Sequence, residues 1–223
     1  MIRKTLLTLM CLLLLPLSVA AGDYTEGQHY RTVPAPVAPA DPKIITVEEF
    51  FWYGCPHCYR LEPQLAAWAN KQPSDVKLVH IPNSLGRPVG VLHQKTFFTA
   101  AGLGVEQQLR LPFMEALVIE HQNLNDEKSI RDFVVQHTGI TPEVFTSNFE
   151  GFAVDMQVRR ADELARSYRI TGTPTLVVGG KYLASATLPG IHVPGATEEQ
   201  SNARMLEVVD FLVDKLRRER KGS

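Results

Sequence analysis

The tetrapeptide Cys55-Pro56-His57-Cys58 constrains this sequence most, because it separates two segments of different periodicity. The run before it, Ile44–Tyr53, is rich in branched and aromatic residues and predicts a buried strand. The run after it has the helical spacing Leu61, Leu65, Trp68. Two cysteines at a strand-to-helix junction can close a small disulfide ring and reopen it, since the free N–H groups at a helix start stabilise a thiolate.

Two other uses of a cysteine pair fit the sequence less well. A structural disulfide stabilises a fold most when it closes a long loop, and this ring would enclose only Pro56 and His57. A structural zinc site needs four ligands, and the seven histidines show no paired ligand spacing. We therefore predict redox chemistry and no metal, and keep as an alternative a non-catalytic binding module with a structural disulfide.

The first 21 residues have the pattern of a cleavable secretory signal peptide. An apolar stretch from Leu6 to Leu17 follows two basic residues, and small side chains favour cleavage after Ala20 or Ala21. This stretch is shorter than the about 20 residues of a membrane-spanning helix. The third cysteine, Cys11, lies in this leader and lacks the small preceding residues of a lipid-attachment site. Export would place the remaining pair in an oxidising compartment, where disulfides persist.

Charge and length exclude further classes. Loss of Arg3 and Lys4 with the leader leaves 21 basic against 24 acidic residues, a net charge of −3. Nucleic acid binding calls for a basic excess, so we do not expect it. The roughly 200 mature residues suffice for one core with an insertion. Residues 22–42 carry four prolines and are predicted to form an extended segment before the first domain.

The remaining segments alternate in type along the chain. A second strand is predicted over Val76–Ile81, then a block of helices from about residue 85 to 155 and a helix over Asp155–Tyr168. The segment Thr171–Tyr182 contains a proline loop, an apolar run and a Gly-Gly turn, which is typical of a β-hairpin. A last helix is predicted from about Glu198.

Individual residues add detail to this pattern. Pro63 lies inside the helix after the cysteines and should kink it. Ser129 is predicted to cap a helix of the block, and Thr141-Pro142 to start another. Glu49 is an acid in an otherwise apolar strand, six residues before Cys55. Most strand acids face solvent, but a buried acid at this position could exchange protons with the second thiol.

Together these motifs resemble the DsbA family of bacterial periplasmic disulfide oxidoreductases. The resemblance is carried by Glu49-Phe50-Phe51, Cys55–Tyr59 and Gly172-Thr173-Pro174, and extends over essentially the whole mature chain. It implies an α/β architecture, a thioredoxin-like fold with an inserted helical domain. The divisions are the signal peptide at 1–21, the extended segment at 22–42, the thioredoxin-like domain at 43–84 and 156–223, and the inserted helical domain at 85–155.

The resemblance also implies a mechanism. With Cys55 exposed and Cys58 buried, a substrate thiolate attacks the sulfur of Cys55, a mixed disulfide forms, and a second substrate cysteine resolves it. Pro56 and His57 complete the catalytic tetrapeptide, and His57 is predicted to stabilise the Cys55 thiolate and so favour the reduced form. The chain is thereby predicted to be a thiol:disulfide oxidase that needs no cofactor beyond its own disulfide.

Four further residues receive roles from the resemblance. Thr173 and a cis Pro174 are expected to face the disulfide, where the Thr173 backbone would pair with an extended substrate segment. Glu49 matches the buried acid of the family. His80 takes the place where the best-known members have a lysine near that acid, and we expect it to take part in proton transfer or to be a surface histidine at a strand end.

The implied partners are reduced, unfolded exported proteins, together with a quinone-linked membrane oxidase that reoxidises the pair in the periplasm. We expect a monomer. A dimeric isomerase of the DsbC type would need an N-terminal domain, for which residues 22–42 leave no room. A reductase or a pathway-specific oxidase of the same fold would share most of these residues and remains an alternative.

Overall fold

The computed structural model describes residues 24–222, so the predicted signal peptide and Cys11 lie outside the described residues. The described chain contains a five-stranded sheet and seven α-helices. The strands are β1 (Arg31–Thr32), β2 (Ile45–Phe51), β3 (Val76–Pro82), β4 (Thr175–Val178) and β5 (Tyr182–Ala184). The helices are α1 (Pro56–Ala69), α2 (Pro88–Gly102), α3 (Glu106–Val118), α4 (Glu127–Thr138), α5 (Pro142–Phe149), α6 (Phe152–Ser167) and α7 (Glu198–Lys221).

The sheet has the strand order β1-β5-β4-β2-β3. Strands β2 and β3 are parallel and are connected through α1, whereas β4 pairs antiparallel with both β2 and β5. The predicted hairpin is confirmed: β4 and β5 are joined through Gly179 and Gly180, whose φ angles of 58° and 64° suit residues without a Cβ. This order places β4 in the middle of the sheet and β2, the strand that leads to the cysteines, between β4 and the edge strand β3.

The two faces of strand β2 pack against different cores, because successive side chains point to opposite sides of a sheet. Ile45 and Val47 are fully buried in the core formed with α1 and α7. Glu49 has the same parity and is also fully buried. Phe50 points the other way and packs against Tyr168 in a smaller core on the opposite face. Glu49 therefore differs from most acidic residues in strands, whose side chains face solvent.

The helices α2 to α6 lie between β3 and β4 in the chain. Their core is apolar as predicted, with Phe113, Met114 and Phe145 fully buried. Helix α6 begins at Phe152 and runs through the boundary predicted after residue 155, so that boundary would cut a helix. None of the helices described between residues 24 and 222 is long and apolar enough to cross a membrane.

Local signals of the sequence were right at one helix start and wrong at another. Thr141 is the N-cap of α5 and accepts a hydrogen bond from the Val144 N–H, as predicted. The prediction that Ser129 caps α4 is wrong: Asp126 is the N-cap, and its side chain accepts from the Ser129 N–H at 3.0 Å. Aspartate and serine are both good caps, and the three-residue spacing puts Ser129 where it receives the capping bond.

The ends of the sheet also differ from the sequence-based expectation. Strand β2 covers Ile45–Phe51 rather than Ile44–Tyr53, because the chain turns at Trp52, whose carbonyl accepts from the Cys55 N–H at 2.9 Å. The N-terminal segment was predicted to be extended, but its strand pairing was missed. Its β1 joins the sheet edge beside β5, and the Val33 N–H donates to the Lys181 carbonyl at 2.9 Å.

The last helix begins at Glu198, as predicted. A capping box starts it, in which the Thr197 side chain accepts from the Gln200 N–H and the Gln200 side chain accepts from the Thr197 N–H. Helix α7 then packs beside α1, where Trp68 donates to Asp210 at 2.7 Å. This packing fixes the start of α7 near the start of α1, where the two cysteines lie.

Candidate active site

The two cysteines lie at the N-terminus of α1. Cys55 is the N-cap with an extended backbone, Pro56 occupies the first turn, and both thiols are free. Cys58 is completely buried, as predicted, but Cys55 is only 5% exposed, which corrects the expectation of an exposed sulfur. The reason is tertiary: the loop at Thr173 lies over Cys55, whose Sγ is 3.3 Å from the Thr173 carbonyl oxygen.

The two thiols have opposite pKa shifts. The Cys58 thiol donates a hydrogen bond to Cys55 and is the largest cause that lowers the pKa of Cys55 to about 5, although burial opposes this shift. The Thr173 side chain and the N–H groups of Cys58 and His57 add to the lowering. Burial raises the pKa of Cys58 well above its usual value, and its bond to Cys55 and the charge of Glu49 raise it further. The reduced site therefore holds a thiolate on Cys55 and a proton on Cys58.

The loop before β4 faces the cysteines. The Thr173–Pro174 peptide bond is cis, which confirms that expectation. The Cys55 thiol donates to the Thr173 carbonyl, and this contact belongs to the protonated form, since a thiolate has no hydrogen to donate. The sequence had therefore placed Thr173 and Pro174 correctly opposite the reactive sulfur.

The side chain of His57 does not contact Cys55 among the described hydrogen bonds. Its Nδ1 lies 2.7 Å from Oε1 of Glu198, at the start of α7, and the other oxygen of Glu198 accepts from Arg60 Nε at 2.5 Å. His57 thus belongs to a partly exposed cluster of two basic groups and one acid. The backbone N–H of His57 lowers the pKa of Cys55. The prediction had assigned this effect to the imidazole of His57.

Glu49 and His80 form a buried pair behind the cysteines. They are directly opposite in the β2–β3 register, and His80 Nδ1 is 2.7 Å from Glu49 Oε2. Glu49 is fully buried, whereas the His80 side chain is 22% exposed. The pair therefore connects the interior beside Cys58 with solvent, since His80 is both partly exposed and paired with Glu49.

Arg110 completes this buried site and was missed by the sequence analysis. It reaches from α3 to place Nη2 2.7 Å from Glu49 Oε2 and 2.9 Å from Glu62 Oε2, and Nη1 3.6 Å from Glu106. Burial alone would raise the pKa of Glu49, but Arg110 and then His80 more than offset it and hold that pKa below its usual value. The available signal was an arginine four residues after Glu106 in an apolar helix.

A second contact between the helical segment and the active-site turn was also missed. Trp52 Nε1 donates to His93 Nδ1 at 3.0 Å, and His93 Nε2 lies 2.9 Å from the Leu124 carbonyl oxygen. Because indole can only donate and a carbonyl can only accept, His93 carries its proton on Nε2 and is neutral. Burial accordingly lowers the pKa of His93. A Cβ at Gly54 would lie 2.7 Å from the Trp52 ring, so this turn requires glycine.

A cavity of about 800 Å³ opens beside the Thr173 loop. Its lining includes His57, the loop residues Thr173 and Pro174, Leu188 of the segment before α7, and Glu198 and Asn202 of α7. The cavity is large enough for several side chains of a bound segment. In the part of the chain that the structure describes, no group of three or more His, Cys, Asp or Glu is placed to hold a metal ion.

Comparisons with known proteins agree with this geometry. The chain matches the family model described as DSBA-like thioredoxin domain over residues 46–200. The thiol:disulfide interchange protein DsbA of Pseudomonas aeruginosa is 36% identical over 217 residues, covering 96% of this chain and 97% of that protein. The protein of that name from Pseudomonas syringae pv. tomato is 37% identical over 201 residues, covering 89% of this chain and 87% of that protein. The crystal structure of Pseudomonas aeruginosa DsbA has a TM-score of 0.78 at 36% identity, covering 89% of this chain and 97% of that chain.

Proposed function

The chain belongs to the DsbA family of thiol:disulfide interchange proteins, and from this premise we propose how its two cysteines oxidise a substrate. It is a thiol:disulfide oxidoreductase that acts as a disulfide oxidase. The observation that carries the proposed mechanism is the placement of the two cysteines, with Cys55 as the N-cap of α1 beside the Thr173 loop and Cys58 fully buried. A low thiol pKa makes Cys55 a good leaving group, and a high one makes Cys58 hold its proton.

The reaction begins with the disulfide between Cys55 and Cys58. A substrate thiolate attacks the sulfur of Cys55, the Cys55–Cys58 bond breaks, and Cys58 leaves with the electron pair and takes up one proton. A second substrate thiolate then attacks the substrate sulfur of the mixed disulfide. Cys55 leaves as a thiolate, so the substrate is oxidised by two electrons and this protein is reduced by two.

The substrate is bound beside Thr173. The proximity of its carbonyl to Cys55, 3.3 Å, supports pairing of the Thr173 backbone with an extended substrate segment. Pro174 follows directly in the loop, and the adjacent cavity offers space for side chains near the substrate cysteine. An unfolded chain satisfies this geometry because it can present an extended backbone and a free thiol together.

Proton transfer to and from Cys58 passes through Glu49 and His80. Cys58 is fully buried and must gain a proton when it leaves and lose one when the disulfide is restored. Glu49 is the acid whose charge acts on Cys58, and His80 is both 2.7 Å from Glu49 and partly exposed. The pair therefore provides a route from the buried thiol to solvent.

Location and partners follow from the family and from the signal peptide pattern of the N-terminus. The protein works in the periplasm, where its substrates are reduced, unfolded exported proteins. A quinone-linked membrane oxidase reoxidises the cysteine pair, so no dissociable cofactor is needed. We expect the protein to act as a monomer.

The experiment uses the Cys58→Ser protein with Cys55 first converted to a mixed disulfide by an aromatic disulfide reagent. A reduced, unfolded test protein with a single cysteine should displace the aromatic thiol and remain covalently attached to Cys55, because neither Cys58 nor a second substrate cysteine is present to resolve the mixed disulfide. A non-reducing gel measures the adduct. The Cys55→Ser protein, treated in the same way, is the matched control. An adduct formed by Cys55→Ser but not by Cys58→Ser would reverse the assignment of the two cysteines.

A further inference from the structure

Arg110 is the one side chain of α3 that joins three carboxylates behind the active site. Its guanidinium contacts Glu49 of β2, Glu62 of α1 and Glu106 of its own helix at 2.7, 2.9 and 3.6 Å. The side chain is 6% exposed and its guanidinium carbon lies 4.1 Å from the centre of the Phe51 ring. A charged group held this far from water must be paired to be tolerated.

Glu49 has two basic neighbours with different properties. His80 is partly exposed, and an imidazole is charged only when it is protonated. Arg110 is buried, and a guanidinium keeps its charge at every pH at which proteins function. Only Arg110 can therefore neutralise Glu49 regardless of the state of His80.

We propose that Arg110 is a positioning residue that holds Glu49 as a carboxylate between proton transfers, which leaves His80 free to exchange its proton with solvent. The inference rests on the proposed route from Cys58 through Glu49 and His80. In this arrangement the buried acid accepts a proton from Cys58 only transiently, because Arg110 favours its charged form. The fixed charge comes from the helical segment, so packing of α3 on β2 is part of the active site.

The other charged groups around Glu49 are consistent with this role. Helix α1 contributes Cys58, whose pKa the charge of Glu49 raises, and Glu62. Helix α3 contributes Glu106, and the buried hydroxyl of Tyr53 is also within the electrostatic reach of Arg110. Glu62 and Glu106 are carboxylates, and Cys58 and Tyr53 are neutral because their pKa values are raised, so none of these four groups can keep Glu49 ionised.

The consequence for the cysteines is specific. If Glu49 became neutral, its charge would no longer raise the pKa of Cys58. The two thiols would then differ less in acidity, because Cys58 would release its proton more readily. Arg110 thus acts on the cysteines through Glu49, without touching either sulfur in the described contacts.

The experiment measures the ionisation of Glu49 directly. Protein labelled with ¹³C at the glutamate carboxyl carbons is titrated by NMR in the reduced form, and the Glu49 signal is assigned by its loss in Glu49→Gln. Arg110→Met should raise the midpoint of Glu49 by about 1–3 pH units, the usual effect of removing an adjacent opposite charge. Arg110→Lys keeps a charge and should restore most of the shift. Arg131→Met is the matched control, since Arg131 of α4 pairs with Asp132 instead.

A second variant keeps the test decisive if Arg110→Met does not fold. His80→Asn removes the other cation and leaves Arg110 in place, and Glu49 should still titrate below the ordinary carboxyl range. A midpoint at or above that range in His80→Asn would overturn the proposal, because His80 would then hold the charge. An unchanged Glu49 midpoint in folded Arg110→Met would overturn it as well.

These outcomes are independent of the proposed oxidase mechanism. The carboxyl titration reads the charge of Glu49 without substrate or turnover. If the mixed-disulfide experiment fails while Arg110→Met shifts Glu49, the mechanism is wrong and the electrostatic role of Arg110 stands. If the mixed disulfide forms but Glu49 does not respond to Arg110, the reverse holds.

Discussion

The pH dependence of stability should differ between the reduced and oxidised proteins. The perturbation is the redox state of Cys55 and Cys58 at a series of pH values. The folded reduced protein has a Cys55 pKa of about 5, against about 8.5 for an unfolded cysteine. A thiol with a lowered folded pKa stabilises the fold fully above the unfolded value, and this contribution is lost as the pH falls through the folded value.

The magnitude can be worked out from these two pKa values. The Cys55 thiolate should contribute about 0.4 kcal/mol to folding at pH 5, about 3 kcal/mol at pH 7 and about 4 kcal/mol at pH 8. The oxidised protein lacks the contribution of the thiolate. Its disulfide instead restricts the unfolded chain, and for so small a ring this restriction stabilises the fold by about 2 kcal/mol at every pH. The reduced form should therefore become the more stable one between about pH 6 and pH 7.

The assay is denaturant unfolding of both redox forms between pH 5 and pH 8. The unfolding free energy of the reduced form minus that of the oxidised form is compared at each pH. Contributions of groups common to both forms, including Glu49 and His80, cancel in this difference. The series stops at pH 8 because the raised pKa of Cys58 destabilises the reduced fold at higher pH, where unfolded Cys58 ionises. If the unfolding free energy of the reduced form minus that of the oxidised form stays flat or decreases from pH 5 to pH 8, a Cys55 thiolate does not stabilise the fold. A more stable oxidised form at pH 8 would favour a structural disulfide.

Three further predictions concern single residues. His57→Ala should raise the pKa of Cys55 by no more than about one unit, because its side chain bonds to Glu198 and its N–H is retained; thiolate absorbance against pH measures this, and a much larger increase would show that the imidazole acts on the sulfur. Thr197→Ala should cost about 1 kcal/mol of unfolding free energy by breaking the capping box of α7, whereas Thr197→Ser should keep most of it. Gly90→Ala should lower the melting temperature by several degrees, since its Cβ would lie 2.5 Å from the Ser84 carbonyl oxygen; Gly102→Ala, where nothing lies within 4 Å, is the control.

The sequence was sufficient where local pattern determines structure. The apolar run before Cys55 and the helical spacing after it located the junction of β2 and α1, because strand and helix periodicities differ over a few residues. The Gly179–Gly180 pair located the hairpin, because the backbone angles of its turn favour glycine. The cis bond at Pro174 came from resemblance rather than from pattern, since most prolines are trans.

The sequence was insufficient where the site depends on distant packing. Arg110 is 61 residues from Glu49, and its role depends on how α3 lies against β2. Glu198 is 141 residues from His57, and only the docking of α7 beside α1 brings them together. The burial of Cys55 has the same origin, because the loop that covers it follows 118 residues later. No local pattern contains these distances.

The most direct test of the account is an equilibrium redox titration of Cys55 and Cys58 against reduced and oxidised glutathione at pH 7. The thiolate on Cys55 stabilises the reduced form by about 3 kcal/mol, which corresponds to a potential higher by about 60 mV than that of an unperturbed pair. We predict half-reduction at a potential less negative than about −220 mV, so that glutathione reduces the pair readily. A midpoint more negative than about −300 mV, the range of structural disulfides, would show that the pair is not a disulfide donor.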